Sequence, residues 1–257
     1  MLKSAFGLTL LAASLGISTG YAASGEKPTI VLVHGAFADA SSWSGVLTRL
    51  EKDGYSVVAV ANPLRSVKSD GEYVRRIVAG LKTEVVLVGH SYGGSVITEA
   101  AKTGENIRSL VYVAAFVPDV GETALSLTGK FPGSTLPPTL AQPVELKDGV
   151  KDLYIQQDKF HNQFAADVSA DDAKVMAATQ RPVTDFALSE PTSNAGWKSI
   201  PSWAIYGDAD KNIPPEALAW MAKRANAKDT VVVKGASHVV MVSNPDKVTE
   251  IIEKAAN

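Results

Sequence analysis

The run Val88-Gly89-His90-Ser91-Tyr92-Gly93-Gly94 constrains this chain more than any other part of it. It contains Gly-x-Ser-x-Gly, set between an apolar, β-branched stretch, Glu84–Val88, and a segment, Ser95–Ala101, that reads as a helix. So tight a strand-to-helix turn forces its serine into a strained conformation. Only small residues two before and two after it escape collision, and Gly89 and Gly93 meet that need. The hydroxyl then stands above the carboxyl end of a sheet, over the positive end of a helix dipole. A phosphate-binding glycine turn is the competing reading. It wants the spaced glycines of G-x-G-x-x-G or a Walker lysine, and neither is present.

The rest of the chain supplies a sheet for this turn. Thr29–Val33, Tyr55–Val60, Glu84–Val88 and Ile107–Ala115 read as buried strands. Between them, Ser42–Lys52 carries Trp43, Val46, Leu47 and Leu50 at helical spacing, and Asp70–Leu81 carries Tyr73, Ile77, Val78 and Leu81. Such alternation predicts an α/β protein with a mostly parallel, doubly wound sheet built from right-handed β-α-β units. The pattern breaks from Phe116 to about Pro191, a stretch rich in Pro, Gly, Asp and Ala with helical fragments such as Asp171–Thr179 and no strong strand. It resumes with strand Ser202–Tyr206, helix Pro215–Ala225, strand Thr230–Lys234 and helix Pro245–Ala255. Residues 117–191 are therefore expected to form a helical cap over one end of the sheet.

A serine hydroxyl is a poor nucleophile until a base takes its proton. Four histidines are available: His34, His90, His161 and His238. His90 adjoins the serine and points away from its oxygen at this turn, so it reads as a packing residue. His34 belongs to the His-Gly turn that ends the first strand, and His161 lies in the insertion. His238 follows the strand Thr230–Lys234 on a loop at the carboxyl end of the sheet, where active sites of open α/β sheets gather. It is the preferred base. A carboxylate must fix its tautomer. Strand Ser202–Tyr206 runs into Gly207-Asp208-Ala209-Asp210, and Asp210, whose loop position reaches farther, is preferred to Asp208. The predicted catalytic set is thus Ser91, Asp210 and His238. An oxyanion hole needs two backbone N–H groups. Tyr92, just after the serine, is expected to give one, and Ala36, in the loop after the first strand, the other, with Phe37 as second choice.

Composition removes other chemistries. The 257 residues include no cysteine, so disulfides, thiolate zinc sites and cysteine nucleophiles are excluded. The histidines show no H-E-x-x-H pairing, and no metal or other cofactor is implied. A net charge of −2 offers no basic face for nucleic acid. Lys3, the apolar run Phe6–Ile17 and the small-residue stretch Ser18–Ala23 make the pattern of a secretory signal peptide over residues 1–23, with cleavage after Ala22 preferred to Ala23. The run is too short to anchor the chain across a bilayer about 30 Å thick. A periplasmic or secreted mature protein, residues 24–257, is the expectation.

With these residues in place, the chain resembles the α/β-hydrolase superfamily over essentially its whole mature length. The stretches HGAFADASSW, GHSYGG, DKNIPPEALAWMAKRA and GASHVVMVSNP look like a group of small bacterial esterase-like hydrolases and are similar to plant methylesterases and hydroxynitrile lyases. The resemblance implies an α/β-hydrolase fold, Asp210 as the acid and Ala36 as an oxyanion donor. Hydroxynitrile lyases replace the glycine after the strand-end histidine and carry a lysine after the catalytic one. This chain has Gly35 and Val239 there, which favours hydrolysis. The expected reaction is hydrolysis of a small, apolar carboxylic ester through an acyl-enzyme. Lactone opening, C–C hydrolysis, perhydrolase or haloperoxidase chemistry, and a ligand-binding receptor with little turnover are the alternatives. Phe37, Trp43, Tyr92, Phe160, Phe164 and Trp197 are candidates for lining the substrate pocket, against core packing for each one singly.

Overall fold

The computed structural model describes residues 26–257, and the expected leader, residues 1–23, lies outside them. The chain opens as β1 (Thr29–Val33), α1 (Ser44–Lys52), β2 (Val57–Val60), α2 (Val67–Ala79), β3 (Val85–His90), α3 (Tyr92–Ala100) and β4 (Ile107–Val113). The cap follows: α4 (Ala124–Lys130), β5 (Val144–Glu145), β6 (Lys151–Leu153), α5 (Gln157–Phe164), α6 (Ala170–Thr179), β7 (Val183–Thr184) and α7 (Asp185–Ser189). The main domain resumes with β8 (Ser202–Gly207), α8 (Pro215–Arg224), β9 (Thr230–Val233), α9 (Val240–Ser243) and α10 (Pro245–Ala256). Among the described residues no helix is long and apolar enough to cross a membrane.

Six strands form one parallel sheet in the order β2-β1-β3-β4-β8-β9. β1 and β3 are buried along their whole length, which is why both are continuous apolar runs without alternation. From β1 the chain steps outward to β2 and then back past β1 to β3. With right-handed crossovers, that reversal puts α1 and α2 on opposite faces and leaves a crevice at the carboxyl ends of β1 and β3. Both Ser91 and the loop 34–39 sit at this crevice, and the fold thereby brings residues more than fifty apart in sequence to one point.

Two expectations needed correction. Tyr73 on α2 is exposed and Ile77 is only partly buried; the inward face is Val67, Asp70, Gly71, Val74 and Val78. The reason is close helix packing. A Cβ at Gly71 would lie 2.7 Å from Glu99 Cγ, so α2 rests on α3 at this glycine and turns its bulkier residues aside. The cap is also less helical than expected, because β5, β6 and β7 form a small antiparallel sheet. These strands of two or three residues carry no readable alternation. The cap sheet is fastened to the main domain by the loop before α2. Thr184 N–H donates to Leu64 O at 3.1 Å and its hydroxyl to Arg65 O at 2.8 Å. The Arg65 guanidinium reaches Asp152 Oδ1 at 2.6 Å and Pro182 O at 2.8 Å.

The glycines of the turn are required by contact. A Cβ at Gly89 would sit 2.5 Å from Gly93 O, and one at Gly93 would run into Val33 O. Gly93→Ala is expected to lower stability by about 1–3 kcal/mol or more, the range for forcing a methyl into a filled site. Gly129→Ala, in α4 where nothing lies within 4 Å of the added carbon, is expected to be neutral or slightly stabilising. Urea unfolding midpoints of the two variants check the contrast.

Candidate active site

Ser91 links β3 directly to α3, with φ 54° and ψ −122°. A non-glycine residue in this region costs about 1–3 kcal/mol, and it persists only when its neighbours over-determine it. They do so here. Ser91 N–H donates to Val113 O at 3.2 Å, and Ser91 O accepts from Gly94 N–H at 2.9 Å and Phe116 N–H at 3.2 Å. From the other side, a Cβ at Gly35 would lie 2.6 Å from Ser91 Cβ, so the loop after β1 presses its backbone against the serine.

His238 and Asp210 meet on the loops after β9 and β8. The imidazole Nδ1–H donates to Asp210 Oδ2 at 2.6 Å, and both side chains are buried. The other carboxylate oxygen accepts from Asn212 N–H at 2.8 Å and Ile213 N–H at 3.0 Å. A buried carboxylate is tolerable only when its oxygens are so satisfied. Asp208 is used differently: its Oδ1 accepts from Gly235 N–H and closes the turn that leads to His238. With Nδ1 occupied by Asp210, His238 Nε2 is the nitrogen left for chemistry, and His238 lines the same cavity as Ser91. Among the described residues no hydrogen bond holds the Ser91 hydroxyl. Such contacts often tighten only once substrate is bound.

The other histidines are structural by their contacts. His90 Nε2–H donates to His238 O at 3.1 Å, its ring lies 4.8 Å from that of His238, and burial holds its pKa well below the ordinary range. His34 Nδ1–H donates to Gly35 O at 2.9 Å while its Nε2 accepts from Asn62 N–H at 3.1 Å. Burial is the main cause that pushes its pKa down to about 4. His161 bonds Val168 O within the cap at 3.0 Å.

Among the described residues, the N–H groups of Ala36 and Tyr92 donate to no protein acceptor, and both residues line the Ser91 cavity. The Phe37 N–H, second choice from the sequence, is already given to Arg181 O at 3.0 Å. The Tyr92 hydroxyl donates to Asp70 Oδ2 at 2.9 Å on α2. Burial pushes the Asp70 carboxyl up from its usual range.

The cavity has a volume of about 240 Å³ and, among the described residues, no lysine, arginine, aspartate or glutamate in its wall. Of the aromatic candidates, Phe37, Tyr92 and Phe164 line it. Three other aromatic candidates do not. Phe160 is fully buried and packs tilted against Phe164, ring centres 4.9 Å apart. Trp43 is fully buried edge-on to His90. Trp197 lies elsewhere, its indole N–H donating to Pro118 O at 2.8 Å and its ring facing Arg224. Much of the wall is aliphatic instead: Leu125, Leu136, Leu140, Leu153, Leu188 and Ile213. The cap leucines stand singly in short elements and loops, where no periodicity singles them out.

The arrangement can activate a hydroxyl, hold a developing oxyanion and exclude water from an apolar group. Comparison with known proteins agrees in kind. The alpha/beta hydrolase family matches residues 30–251. An alpha/beta hydrolase of Aspergillus novofumigatus, nvfD, is 31% identical over 249 residues, covering 90% of this chain and 97% of that protein. Methylesterase 1 of Arabidopsis thaliana is 26% identical, covering 90% and 97% respectively. The crystal structure of polyneuridine aldehyde esterase superimposes with a TM-score of 0.77 at 22% identity, covering 90% of this chain and all of that one, which shows the shared fold.

The buried imidazole of His34 makes stability depend on pH. The unfolded chain takes up a proton at the ordinary value of 6.5, the folded chain only near 4. The contribution is therefore complete above pH 6.5 and lost as pH falls from 6.5 to 4, amounting to about 3 kcal/mol. Urea midpoints across that window are expected to fall in the native chain and to fall less in His34→Gln.

Proposed function

Because this chain belongs to the alpha/beta hydrolase family, we propose that it hydrolyses small, uncharged carboxylic esters with Ser91 as nucleophile. One observation carries the reading: a strained serine, a buried His238–Asp210 pair and two unspent N–H groups converge on one apolar cavity. Ser91 Oγ attacks the ester carbonyl while His238 Nε2 takes its proton. The carbonyl oxygen, now negative, accepts from Ala36 and Tyr92 N–H. Its tetrahedral centre collapses, and the alcohol leaves with the proton from His238. Water then repeats the sequence on the acyl-enzyme, releasing the acid and restoring Ser91. Asp210 keeps Nε2 as the free nitrogen and stabilises the imidazolium.

Hydrolysis is preferred to cyanide elimination, although an α-hydroxynitrile lyase of Arabidopsis thaliana is 27% identical to this chain. Val239 follows His238, and among the described residues no lysine or arginine lines the cavity to balance a leaving cyanide. Turnover of p-nitrophenyl acetate and butyrate is the direct test. Ser91→Ala and His238→Ala are each expected to lower kcat by about 10⁴-fold or more, and Asp210→Asn by a comparable factor. Full activity in Ser91→Ala would remove the assignment. Export is proposed on the pattern of residues 1–23, and N-terminal sequencing of the exported protein is expected to begin just after Ala22 or Ala23.

A further inference from the structure

A second cavity, about 260 Å³, lies beside the one that holds Ser91. Asp39, Ser42 and Gly45 bound it on the side of α1, and Met176, Thr179 and Gln180 on the side of the cap. Among the described residues, Phe37 is the one residue that lines both cavities.

Its setting makes it a partition. The Phe37 backbone is left-handed, φ 60°, and pinned by the hydrogen bond from its N–H to Arg181 O. The ring meets Phe164 edge-on, with centres 6.2 Å apart and planes at 89°. Phe164 in turn packs against the His238 ring at 5.1 Å. The neighbours Ala36 and Ala38 carry only methyl groups and cannot fill the boundary. Phe37 itself is 4% exposed, as a side chain filling a wall must be.

We propose that Phe37 sets the size of substrate the protein accepts: its ring closes the Ser91 cavity from the second one and confines the group on the reacting carbonyl to a short chain. This rests on the reading of Ser91 as nucleophile. Opening the partition gives longer chains a place to lie. A methylene added or removed in an apolar pocket changes rates by about ten- to two-hundredfold, so the effect is large enough to measure.

The test uses the uncharged methyl p-nitrophenyl diesters of ethyl- and octylphosphonic acid, which report on the first step alone. The Ser91 Oγ–P bond forms as the P–O bond to nitrophenolate breaks, and the hydroxyl proton passes to His238. In Phe37→Gly the octyl-to-ethyl ratio of labelling rates is expected to rise about tenfold or more. Phe37→Leu, which keeps an apolar side chain at this position, is expected to raise it less and guards against misfolding of the glycine variant. Adding Met176→Trp to Phe37→Gly fills the second cavity and is expected to return the ratio toward that of the native chain. Parallel changes in both rates, or a gain that survives Met176→Trp, overturn the proposal while leaving Ser91 as nucleophile. Failure of the folded native chain to react with either phosphonate has a different signature: it overturns the Ser91 reading, and this proposal with it.

Discussion

Everything at the site depends on how closely the ends of β1 and β3 approach. Backbone meets backbone there, with room for hydrogen atoms only at Gly35, Gly89 and Gly93. That contact brings Ala36 and Tyr92 to the wall of one cavity and holds Ser91 in a conformation it would not otherwise keep. Hydrogen bonds from the end of β4 complete the clamp. An oxyanion site made of main chain costs no reorganisation when charge develops, provided that the main chain cannot relax.

The same economy governs the buried polar groups. Asp210 receives two backbone N–H bonds besides the imidazole, and His34 spends both ring nitrogens on the strand-end turn that precedes Ala36. His90 uses one nitrogen to hold the carbonyl of His238. One neutral histidine thus holds His238 in place, and another holds the loop before Ala36. Their neutrality follows from burial, and it keeps further positive charge away from the His238 ring.

How much of this was legible in the sequence follows from the range of each interaction. The turn at Ser91, the six parallel strands and the His238 and Asp210 loops are fixed by local patterns: small residues around a serine, apolar runs, a carboxylate just past a strand. Asp208 and Asp210 lie two residues apart and differ in contact: Asp210 meets the His238 imidazole, and Asp208 accepts from Gly235 N–H. The inward face of α2 was not legible, because it depends on Gly71 meeting Glu99 of another helix. Nor was the cavity wall. Aromatic residues attract attention in a sequence, yet Trp43, Phe160 and Trp197 serve packing while scattered cap leucines face the cavity. Short cap strands, joined to the main domain through Arg65 and Thr184, leave no periodic trace.

The left-handed backbone at Ser91 has an evolutionary consequence. Glycine accepts that geometry without strain, so a chain selected only for folding would gain by exchanging the serine for glycine and would lose the hydroxyl in doing so. Persistence of serine at position 91 through descent would therefore record selection for chemistry against a standing thermodynamic pull. Descendants that dropped the chemistry would be expected to show the exchange early, with the surrounding glycines intact.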